Sequence, residues 1–146
     1  TYYTNTISSV LSLLFSVVRI VISARENGNA VAFDFQRFIP KMLALLPKNI
    51  CQTEVNNILM SIVWCSRKIN GFVESNGSEV LRILSLILGM KKKNLKKLKI
   101  QQETLNQTIQ LWSEIRQAVP QADQLIGGWL DKFAMARFQE RISPPQ

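Results

Sequence analysis

LKKLKIQQETLNQTIQLWSEIRQAV, residues 95–119, decides the fold class. Leu95, Leu98, Gln102, Leu105, Ile109, Trp112, Arg116 and Val119 fall at alternating steps of three and four, a heptad seam lasting over three repeats. A strand would alternate with a period of two. The spacing predicts one long helix packed at a shallow angle on its neighbours, with Leu98, Leu105, Ile109 and Trp112 turned into a core or against a partner chain.

The flanking sequence continues in the same period. Pro120 interrupts the seam, and a last helix from about Gln121 carries Leu125, Ile126, Trp129, Leu130 and Phe133. Upstream, SEVLRILSLILG (78–89) is apolar on most sides and reads as the central helix of a bundle. ESNGS (74–78) separates it from a third helix capped by Thr53, with Val55, Ile58, Leu59, Ile62, Val63 and Ile69 on one face and Trp64 near its edge. In AVAFDFQRFIPKMLALLP (30–47), Pro40 is expected to start a helix after a short turn, and Pro47 to close it. Asn5 or Thr6 is placed as the cap of a first helix running to about Ala24 and ended by ENGN (26–29). The result is an all-α fold, a compact bundle of five or six helices, one of them long and heptad-patterned. Residues 1–142 form its single domain and residues 143–146 an extended tail.

Composition agrees. A chain of 146 residues with 47% apolar and 19% charged residues buries enough surface to offset its ordering entropy. The apolar run VLSLLFSVVRIVI (10–22) interrupts itself with Arg19 and is short for a membrane span, so a buried core helix is expected there. The start of the chain lacks the pattern of a secretory signal. Cys51 and Cys65 would stand roughly 20 Å apart on a helix, too far for a disulfide. Free thiols and a cytoplasmic location follow as expectations, with no membrane partner.

Charge is concentrated in one place. The chain carries +8 in all, and six of its lysines fall in KKKNLKKLK (91–99); the rest holds twelve basic and ten acidic residues. On a helical wheel at about 100° per residue, Leu95 and Leu98 share one side, while Lys92, Lys93, Lys96, Lys97 and Lys99 fan across roughly 80° to 240°. Ammonium groups on flexible stems suit phosphates and need no fixed geometry, whereas base readout favours planar Arg or amide side chains. Lys91, Lys92, Lys93, Lys96, Lys97 and Lys99 are therefore the candidate contacts to nucleic acid backbone, RNA or DNA, with Arg67 and Lys68 as an extension. The plainer reading is a solvated face on an exposed helix. Trp64, Trp112 and Trp129 are assigned to packing.

Catalytic equipment is sparse. With no histidine, Ser-His-Asp and Cys-His arrangements and the common zinc ligand sets cannot be assembled. No phosphate-cradling glycine loop or paired-carboxylate cluster is present. The expectation is a binding protein with no cofactor, metal or enzymatic activity.

A small, histidine-free, basic helical bundle with KKKNLKKLK as its charged feature resembles the small subunit of CRISPR surveillance complexes of the Cascade type. That resemblance implies a non-catalytic subunit that supports guide RNA and the target or displaced DNA strand beside other protein subunits. The alternative from another class is a helical protein-interaction or cytokine-like bundle that binds no nucleic acid.

Overall fold

The computed structural model describes residues 2–48 and 54–143. Among these there are eight α-helices and no strand: α1 (Tyr2–Glu26), α2 (Phe35–Leu45), α3 (Val55–Lys68), α4 (Phe72–Leu88), α5 (Lys92–Lys97), α6 (Gln102–Ala118), α7 (Ala122–Trp129) and α8 (Lys132–Ile142). A single 3-10 turn, Leu46–Lys48, follows α2. The all-α expectation holds, while the count exceeds five or six because two expected helices are each broken in two.

Helix α4 is the axis of the bundle. Val80, Leu81, Ile83, Leu84, Ile87 and Leu88 are buried, and the helix packs on α2, α3, α6, α7 and α8. It begins before ESNGS rather than after it. The chain turns at Gly71, whose φ of 77° lies in the left-handed region that costs other residues strain, and α4 then runs straight through Asn76 and Gly77. Gly77 is a point of close approach: a Cβ there would stand 3.0 Å from Val119 Cγ2. An apparent loop signal was thus a packing glycine.

The expected long helix is also two helices. Lys99 adopts φ 51° and breaks the run between α5 and α6. Within α6 the buried row is Thr104, Thr108, Leu111, Trp112 and Ile115, continuing to Val119 after its end. Leu98 and Trp112 are buried as expected, but Leu105 and Ile109 are only half-buried, and Gln102 and Arg116 are exposed. Threonines occupy inward positions that an apolar count skips, so the seam read from Leu105 and Ile109 sits one step off the true row. Trp112 fixes the register by donating its Nε1–H to Ser85 Oγ (3.2 Å) and meeting the Phe138 ring edge-on at 4.9 Å.

Smaller differences have local causes. Helix α2 starts at Phe35 because Asp34 caps it, accepting from the Arg37 amide at 3.2 Å. Pro40 lies inside, past the first turn, where it forfeits the bond to the Gln36 carbonyl. The last expected helix breaks at Leu130, and Asp131 caps α8 by accepting from Ala134 N at 2.7 Å. Phe133, expected on an apolar face, is 73% exposed. Helix α1 already includes Asn5 and Thr6, which therefore do not cap it. The Thr53 cap, Cys51 and Pro144–Gln146 of the tail lie outside the described residues.

Helix α1 runs beside α3 in the same direction. Ser9 meets Glu54, Ser12 meets Asn57, Arg19 rests over Trp64 and Glu26 pairs with Lys68, in rising order along both helices. Leu11, Phe15, Val18 and Ile22 face inward, whereas Val10, Leu13, Leu14, Val17 and Ile20 are exposed. The expected core helix is thus buried on one side only. Its segment Thr6–Glu26 is long and apolar enough to cross a membrane, and 39% of the apolar window within it is buried in the bundle.

Candidate nucleic-acid interface

The lysines are presented by a short helix held down at two points. Lys91 sits at the N-cap of α5, and Lys92, Lys93, Lys96 and Lys97 lie within it. Leu98 is buried and Leu95 half-buried, so these two leucines pin the segment while all six lysines remain exposed. Nothing local favours α5. Lys92 and Lys93 oppose the helix dipole in its first turn, no acid offsets them, and Lys92 with Lys96 and Lys93 with Lys97 are like-charge neighbours costing about 0.2–0.5 kcal/mol each. Tertiary anchoring by the leucines must hold it.

Both ends of the segment are tied to the bundle. On the upstream side, α8 reaches back: Arg137 Nε donates to the Gly89 carbonyl (2.9 Å), and Arg141 Nη1 donates to the carbonyls of Leu88 (2.7 Å) and Met90. These guanidinium groups satisfy carbonyls that end α4 and complement its negative pole. Burial, helped by the neighbouring Arg137, pulls Arg141 below the usual arginine range. On the downstream side, the Gln101 amide donates to Asn56 Oδ1 on α3 at 3.0 Å. The lysines therefore occupy a turn with fixed ends at one pole of the bundle.

No ion pair among the described residues involves any of the six lysines; the pairs present are Arg67 with Glu114, Lys68 with Glu26, and Arg116 with Asp123. Between Lys91 and Gln102 there is no acidic residue at all. The arrangement offers six exposed positive charges with no carboxylate partner among the described residues, suited to a polyanion and without a planar recognition fork.

The proposed extension stands elsewhere. Arg67 and Lys68 lie at the C-terminal end of α3, roughly 16 Å along the helix from Asn56, where the lysine turn is tethered. Arg67 makes a two-pronged pair with Glu114 (2.5 and 3.2 Å), and Lys68 binds Glu26 at 3.1 Å. They flank Trp64, which is half-buried with Arg19 and Lys68 at 5.7 and 5.8 Å from its ring centre. The cations brought near the lysine turn are instead Arg137 and Arg141, about forty residues downstream, a distance over which sequence spacing carries no signal.

Asp123 is held below the usual carboxylate range by its hydrogen bonds from Arg116, whose own affinity for its proton rises in return. Cys65 is a free, buried thiol that burial pushes up to about 12, against a smaller opposing effect of Arg19. No grouping of three or more potential metal ligands of the His, Cys, Asp or Glu type occurs among the described residues. The chain matches no protein-family model, no curated protein and no solved structure.

Proposed function

We propose that this chain is a non-catalytic helical subunit that binds nucleic acid backbone with little regard to sequence, through Lys91, Lys92, Lys93, Lys96, Lys97 and Lys99. One observation carries the reading: six exposed lysines within nine residues, none paired with a carboxylate among the described residues, sit on a turn anchored by Leu95, Leu98, Asn56 and Arg141. Such a cluster lowers the stability of its own helix, and neutralisation by phosphates offsets that cost. Within this class, the small-subunit role in a CRISPR effector complex, supporting guide RNA and a DNA strand, rests on resemblance in size, charge and helical architecture. The exposed apolar face of α1 favours a second reading in parallel, a role in protein interaction.

The test is fluorescence anisotropy with labelled single- and double-stranded oligonucleotides of several sequences over a salt series. Four to six phosphate contacts give a slope of log affinity against log salt of roughly −3 to −5, with affinities nearly equal among sequences. A slope near zero contradicts the proposal.

A further inference from the structure

Helix α1 carries two apolar rows. Ser8, Leu11, Phe15, Val18 and Ile22 step by three and four and face inward. Val10, Leu13, Val17 and Ile20 step by the same three and four on another side, with Leu14 beside them, and these five are the exposed large apolar side chains among the described ones of α1. At about 100° per residue the rows lie roughly 160° apart. A helix apolar on two sides is built to be enclosed, yet α1 stands at the edge of its bundle, packed chiefly on α3 and the turn Leu46–Lys48.

We propose that the outer row is covered by the same row of a second copy of this chain, two α1 helices meeting antiparallel about a two-fold axis. The row has the composition of a helix–helix seam, with β-branched Val10 and Val17 at one heptad position and Leu13 and Ile20 at the other. Ser9, Ser16 and Ser23 recur every seven residues along its shoulder, small enough for close approach. Helix α1 has no charged side chain before Arg19, so two chains of +8 meet on a face where neither repels the other. An acidic partner would find a single cation beside this row, Arg19, and that one already rests over Trp64. A lipid surface selects helices whose apolar face is framed by several Lys and Arg; here the shoulder is Ser9, Ser16 and Ser23, with Arg19 as its one cation among the described side chains, drawn over the Trp64 ring.

Charge also sets the direction. The lysine turn lies at the N-terminal end of α1, since Asn56, which binds Gln101, sits between Glu54 and Asn57, the partners of Ser9 and Ser12. A parallel pair would bring both lysine runs to one end; an antiparallel pair separates them. The two-fold then sets Val10 opposite Ile20 and Leu13 opposite Val17, each contact occurring twice. The apolar patch is on the order of 400 Å² per copy, so the interface falls below the roughly 1,200 Å² total of stable complexes. The dimer is weak and concentration-dependent.

The experiment is light scattering on the 146-residue chain in a Cys51→Ser background, from low micromolar to several hundred micromolar. The mass should climb from 16.7 kDa toward twice that value. Leu13→Lys with Ile20→Lys should hold it at one chain with an unchanged melting curve, because these side chains are 64% and 67% exposed. If that pair fails to fold, Leu13→Ser with Ile20→Ser replaces it. Val10→Cys chains mixed with Ile20→Cys chains should cross-link to each other far more than either does to itself. A constant single-chain mass overturns the proposal, as does self-association that survives the paired substitution. Val10→Cys chains that cross-link chiefly among themselves overturn the antiparallel arrangement. A single-chain mass in solution, with flotation on phosphatidylcholine vesicles lost in the paired variant, assigns the face to lipid and also overturns it.

Discussion

Thr108→Val tests the inward row of α6 at its least expected member. Thr108 is fully buried, and its Oγ1 has no hydrogen-bond partner, as is true of Ser8 and Ser61. An unsatisfied buried hydroxyl costs about 1–3 kcal/mol, while valine has nearly the same shape and a similar helix propensity. The substitution should therefore stabilise the fold by about 1–2 kcal/mol. Unfolding entropy of about 2.1 cal/mol/K per residue makes 1 kcal/mol worth roughly 3 °C for a chain of this length, so the melting temperature should rise by about 3–6 °C. Ser85→Ala is the matched opposite: it removes the acceptor of a buried Trp112 Nε1–H and should cost about 1–3 kcal/mol. Thermal melts followed by circular dichroism, with urea titrations alongside, measure both. Loss of 1 kcal/mol or more in Thr108→Val would mean that the hydroxyl has a partner, or that this face does not point inward.

Three further outcomes follow from particular side chains. Cys65 is raised from 9.0 to about 12 in the fold, so the unfolded thiol ionises first as pH climbs. The wild type should then lose stability relative to Cys65→Ala between pH 9 and 12, by about 1.4 kcal/mol per pH unit, as read from urea midpoints. Equal pH profiles would refute the burial. Gly77→Ala should lower stability by about 1–3 kcal/mol, since the new methyl meets Val119 at 3.0 Å and must push α4 and α6 apart; the gain in helix propensity would win only if the two helices were not in contact. Lys99→Gly should hold stability or raise it by up to about 1 kcal/mol by relieving the left-handed backbone, and a clear loss in thermal melts would contradict that turn.

What could be read from sequence divides along physical lines. Helical periodicity is local, so the fold class, the central place of residues 80–88 and the inward face of α3 were all legible. Breaks were not. Lys99 interrupts a helix without glycine or proline, and tertiary anchoring decides it; at Leu130 the signal was Gly127-Gly128 in the last turn of α7, which could be read as part of a continuing helix. Glycine misled in the other direction, because Gly77 marks a close approach and no turn. Thr104 and Thr108 displaced the seam by one position since a buried hydroxyl looks polar to any count of apolar residues. The lysine run was plain, yet its position depends on Asn56, Arg137 and Arg141, contacts 45 or more residues apart in sequence. The outer row of α1 was visible as hydrophobicity, but only the packing shows which half of it the bundle leaves uncovered.

The lysine turn is proposed as the surface that meets phosphate. The most direct test compares Lys92→Ala with Lys96→Ala and Lys99→Ala in one chain against Arg67→Gln with Lys68→Gln in another, measuring oligonucleotide affinity over a salt series. The triple variant should hold or slightly raise its melting temperature and shallow the slope of log affinity against log salt by about 2–3, at roughly 0.7 to 0.9 for each contact removed, while the Arg67 and Lys68 variant changes it little. An unchanged slope in the triple variant would mean that phosphate binds elsewhere on the chain or not at all.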